Sequence, residues 1–130
     1  MTVEYAFIEK LKLVMVNIAD TVTFEQMVTH LMALSKDPRY QPPMKKLVDF
    51  RKCRKYDLTR DQAEKFATLN RELSNIFINE KCAIVAPKDL EYGMSRAHEM
   101  YTSGSGLDIQ VFRQLPEALD WLDIESREYE

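Results

Sequence analysis

Apolar residues gather in short β-forming blocks along this chain, and between the blocks they recur at helical spacing. Tyr5, Phe7 and the run Leu13-Val14-Met15-Val16-Asn17-Ile18 favour strands, with a charged break at Glu9-Lys10. This pattern predicts two strands between Tyr5 and Ala19, paired antiparallel through a tight connection near residues 9–12. Thr23 and Gln26 then form the T-x-x-Q signature of a capping box. Behind it, Phe24, Met27, Val28, Leu31, Met32 and Leu34 keep the rhythm of a helix with one buried face. Asp37-Pro38 stops that helix, and Pro42-Pro43 mark a surface loop.

The same alternation continues. Lys46 to Arg51 reads as a short strand, and a second capping box, Thr59 with Gln62, opens a helix through Phe66, Leu73 and Phe77. Cys82 to Ala86 is a buried strand ended by Pro87. Asp89 is placed to N-cap a third helix with Leu90, Met94, Ala97 and Tyr101 inward. Asp108 to Phe112 is the last strand, and Pro116 starts a final helix through Trp121 and Leu122.

Strands and helices in strict alternation predict an α/β domain built from right-handed β-α-β crossovers. The expectation is a mixed, mostly parallel sheet of about five strands, with an antiparallel first strand and about four helices. Asn17, Asp49 and Gln110 interrupt one face of the strands, whereas a sheet covered on both sides shows continuous apolar strands. Helices are therefore expected mainly on one face. One domain over residues 1–122 and a charged C-terminal tail over 123–130 complete the organisation.

Composition narrows the chemistry. The chain has 130 residues, 45% hydrophobic and 30% charged, as in globular domains. Its net charge of −3 gives no global attraction to nucleic acid or anionic lipid. No apolar run is long enough to span a membrane, the N-terminal residues lack signal-peptide character, and Cys53 and Cys82 form no C-x-x-C. A cytoplasmic protein with reduced thiols is the expectation. Only three glycines occur, Gly93, Gly104 and Gly106, and they bracket the third helix. A phosphate-cradling P-loop or G-x-G-x-x-G turn early in the chain is thereby excluded.

Candidate chemical groups are few. Lys45, Lys46, Arg51, Lys52, Arg54 and Lys55 surround Asp49 in one basic segment that suits phosphate groups or a solvated strand end. Cys53 lies among these cations, which would activate a thiol left in the open. His30 falls on the polar side of its helix, and His98 follows Met94 by four; neither has a second ligand at metal spacing. No nucleophile–base pair is visible, Ser95 is not in a G-x-S-x-G turn, and neither catalysis, metal nor cofactor is expected. Gly93 inside the third helix costs stability and points to close packing against backbone or a ligand, with Arg96 three residues on.

Val48-Asp49-Phe50-Arg51, Ala83-Ile84-Val85-Ala86-Pro87, Tyr92-Gly93-Met94-Ser95-Arg96, Val111-Phe112-Arg113 and Glu117-Ala118-Leu119-Asp120-Trp121-Leu122 occur in that order. Together they resemble the SpoIIAA-like family of small bacterial proteins, related in fold to STAS domains and to lipid-binding CRAL-TRIO domains. The resemblance implies a β-α superhelix with helices mainly on one side of a mixed sheet. It also implies a non-enzymatic binding or regulatory module, serving a protein partner or a small apolar, lipid-like ligand. STAS antagonists switch on a serine after the third strand, but here Asp49 is followed by Phe50-Arg51-Lys52-Cys53 without one. Asp49, Arg51, Gly93, Met94 and Arg96 are the candidate ligand-binding residues. Met15, Leu47 and Phe112 are candidates for an open-face patch or a homodimer contact. The alternative is an anion- or nucleotide-binding protein, or a small enzyme, using Arg51, Lys52, Cys53 and Arg96. No nucleic-acid partner is expected.

Overall fold

The computed structural model describes residues 2–129; Met1 and Glu130, the outer ends of the expected domain and tail, lie outside them. Strand β1 (Val3–Ile8) and strand β2 (Leu13–Thr23) pair antiparallel, from Val3 opposite Ile18 to Ile8 opposite Leu13. A single helical turn joins them, closed where Lys12 enters the left-handed region (φ 50°) and its N–H donates to the Glu9 carbonyl at 3.0 Å. Helix α1 (Phe24–Ser35) starts on the expected capping box: Gln26 N–H donates to the Thr23 hydroxyl, and Thr23 N–H to the Gln26 side chain. Strand β3 (Lys45–Asp57), helix α2 (Arg60–Glu72), strand β4 (Lys81–Val85), helix α3 (Asp89–Tyr101) and strand β5 (Asp108–Phe112) follow. Two short helices, α4 (Leu115–Trp121) and α5 (Ser126–Tyr129), close the chain.

The sheet order is β1-β2-β3-β4-β5, parallel from β2 onward. A sheet that always advances in one direction sends every right-handed crossover helix to the same face. Helices α1, α2 and α3 accordingly pack on that face, over Val14, Val16, Ile18, Phe50, Ile84, Ile109 and Val111. Because the order never reverses, there is no switch-point crevice of the kind that holds ligands in doubly wound sheets. The other face has only the segment after β5 as cover. Ala118, Leu119 and Leu122 seal Leu13, Leu47, Ala83 and Val85 there, while Asn17 and Gln110 stay exposed. The predicted sidedness is thus realised.

Three local expectations are corrected. Strand β3 runs to Asp57, because β2 continues to Thr23 and pairs with it from Thr21 opposite Lys55 to Thr23 opposite Asp57, past register shifts. The basic segment is therefore strand, not strand end and loop. Asp89 does not cap α3; Lys88 stands at that position without a side-chain bond, and Asp89 lies in the first turn, paired with Arg113 at 2.8 Å. Helix α3 is also rotated. Glu91 and Ser95 face inward and Leu90 and Tyr101 are exposed, while Arg113 contacts both Asp89 and the Tyr92 ring (3.9 Å).

Candidate functional site

Between the sheet and the three crossover helices lies a cavity of about 60 Å³. Strands β2, β3 and β4 floor it with Val16, Val48, Phe50, Cys82 and Ile84. Helix α1 contributes Met27, His30 and Leu31, α2 contributes Phe66, and α3 contributes Met94, Ser95 and His98. Lys46 and Tyr56 complete the wall from β3. The lining is apolar apart from a few convergent polar groups, the composition usual for small-molecule sites.

Each polar group is placed by local geometry. Lys46 shares strand parity with Val48 and Phe50, so the two-residue period carries its side chain into the covered face. Its ammonium pairs with Glu80 at 3.2 Å and lies 4.5 Å from the Phe77 ring centre; Tyr40 donates its hydroxyl to the same carboxylate at 2.6 Å. His98 stacks on Phe66 at 5.5 Å, and its Nε2 lies 2.9 Å from the Asn70 amide nitrogen. His30 meets the edge of Tyr5 at 5.6 Å, and its buried Nδ1 has no partner among the described residues.

Burial, and then the Lys46 charge, push His30 down to about 3 and His98 down to about 4. Both rings are therefore neutral at physiological pH, each with one donor and one acceptor nitrogen. Glu91, one turn before Ser95, is 4% exposed and keeps one oxygen unpartnered. Burial first, then its charge, raises Cys53 and pushes Tyr56 up to about 12.

Of Asp49, Arg51, Gly93, Met94 and Arg96, the residues expected from sequence to bind a ligand, only Met94 lines this cavity. Asp49 and Arg51 bind each other instead: the guanidinium meets the buried carboxylate at 2.9–3.1 Å. They lie on the second face, near Tyr129 of α5. Arg96 is exposed on α3, across the sheet from Arg51, so the two arginines do not meet. Cys53 is 1% exposed, and Lys52 remains a solvent-facing neighbour. Gly93 is exposed, and a Cβ built on it would meet nothing within 4 Å, which corrects the expectation of close packing. Met15, Leu47 and Phe112 do share the second face, but α4 buries Leu47, and Phe112 packs against Trp121 at 5.8 Å.

The sequence reading placed His30 on a solvated side and counted Lys46 among surface cations; both are buried. A signal existed for each. Lys46 has the parity of Val48 and Phe50, and His30 follows Met27 by three and precedes Leu31. No helix among the described residues is long and apolar enough to cross a membrane, and no group of them has the makings of a metal site.

A one-directional mixed sheet with crossover helices on one face is a SpoIIAA-like α/β fold. The comparison that carries this is with the crystal structure of an uncharacterized DUF3478-family protein with a SpoIIAA-like fold from Shewanella loihica PV-4. The two superpose with a TM-score of 0.57 over 92% of this chain and 91% of the other, at 19% sequence identity. The expected fold is thereby established. No family model matches the chain, and no curated protein does.

Proposed function

We propose that this protein is a non-enzymatic binding module that takes a small apolar ligand beneath its crossover helices. The observation that carries this reading is the cavity itself: an apolar hollow in which a nine-tenths buried histidine keeps one nitrogen unpartnered. Buried polar groups in folded proteins are nearly always satisfied, so an orphan inside a hollow is the place for a ligand or water. A cavity of roughly 150 Å³ accommodates benzene, so about 60 Å³ takes a few heavy atoms, not a whole acyl chain. The anion-binding alternative has less support, since Arg51 is engaged by Asp49 and Cys53 is buried.

Thermal shift and methyl-detected NMR test the reading with butanol and hexanol against inorganic phosphate and nucleotides. Stabilisation by the alcohols, with shifted Met27 and Met94 methyls, is the expected result. Stabilisation by the anions alone, abolished in Arg96→Ala, would replace it with the anion-binding alternative.

A further inference from the structure

A second hollow lies outside the first. Its volume is about 330 Å³, and it runs between the inner side of β1 and one stripe of α1. Val3 and Tyr5 line it at the two-residue period of the strand; Gln26, Thr29, His30 and Ala33 line it at i, i+3, i+4 and i+7 of the helix. His30 is the one described residue that lines both this groove and the interior cavity. A single imidazole is thus shared by the two hollows, each of which is itself partly open to solvent. The ring rests on the edge of Tyr5, and its Nδ1 has no partner among the described residues.

We propose that His30 is the partition and the recognition group of a two-part site for a short, uncharged amphiphile. The apolar end seats in the interior cavity, a hydroxyl or amide stops at the imidazole, and the remainder lies in the outer groove. This deepens the binding reading above and rests on it. Three features select the chemistry. A neutral imidazole offers one donor and one acceptor, which a hydroxyl or primary amide complements with both of its functions. A carboxylate brought to this depth would lose its hydration, with the nearby Lys46 charge already engaged by Glu80. An alkylammonium would suffer the same desolvation.

Removing the ring joins the two hollows, while a bulky residue on the groove floor closes the outer one. Ala33 is exposed, so Ala33→Trp fills the groove without entering the core.

The test is an NMR titration of the full chain with hexanol, hexanoate and hexylamine, followed on Val3, Ala33, Ile84 and Met94. Hexanol is expected to shift groove and cavity signals together, with the two ions about tenfold weaker or worse. His30→Phe keeps the ring contact with Tyr5 and removes the nitrogens, and is expected to weaken hexanol by about tenfold. Ala33→Trp is expected to slow hexanol exchange, and it keeps the test valid if His30→Phe does not fold. Equal binding of all three probes, or hexanol exchange unchanged in Ala33→Trp, overturns the partition and leaves the binding reading standing. No binding by any probe overturns both.

Discussion

The Lys46 ammonium lies 3.2 Å from the Glu80 carboxylate at a depth where neither side chain exposes more than 4% of its surface. Lys46 is the second residue of β3 and Glu80 immediately precedes β4, so parallel pairing of Lys46 with Cys82 brings the two together. The Tyr40 hydroxyl supplies a further bond to the carboxylate. Such a pair gives little net stability compared with apolar residues, yet breaking it leaves a buried charge alone.

Glu80→Gln is therefore expected to lose about 3–5 kcal/mol in urea unfolding. Adding Lys46→Met should recover much of that loss. A single-variant loss below about 1 kcal/mol would mean that the pair is solvated, as surface ion pairs are.

Acid should weaken the fold through its histidines. Burial lowers His30 to about 3 and His98 to about 4 in the folded chain, against 6.5 when exposed. The unfolded chain binds those protons first as pH falls, so stability is unaffected above 6.5 and declines below it. The slope reaches about 1.4 kcal/mol per pH unit for each ring and ends as the folded-state values are passed. Urea midpoints measured down to pH 4 should fall less steeply in His30→Phe than in the parent. Equal slopes would show that His30 does not carry the effect.

Gly93 sits in mid-helix, exposed, with open space where a Cβ would project. Gly93→Ala should raise stability by about 0.5–1 kcal/mol, visible as a higher melting temperature. A lower melting temperature would show that the position is not free.

Cys53 and Cys82 are 1% and 4% exposed, and burial raises both thiols, Cys82 to about 12. Iodoacetamide followed by mass spectrometry should leave both intact in the native protein and label both after unfolding. Native labelling of Cys53 at the rate of a free thiol would contradict its burial.

Both helix-initiating capping boxes were legible because they are local: Thr23 with Gln26 and Thr59 with Gln62 meet within one turn. Sidedness was legible as well, because Asn17, Asp49 and Gln110 all fall on the face that only α4 and α5 cover. The start of α3 misled, since the acid at Asp89 answers to Arg113 on another element, not to its own helix.

Local pattern, then, settled which segments are strands and helices, how the crossovers turn and which face stays thinly covered. It did so because capping, periodicity and handedness act over a few residues or follow from chirality. Only the tertiary structure decided that Lys46, His30 and His98 are interior groups around one hollow. Their surroundings come from Glu80, Tyr5 and Asn70, side chains 25 to 34 positions away, and burial of a polar residue is decided by such partners, not by its neighbours in sequence.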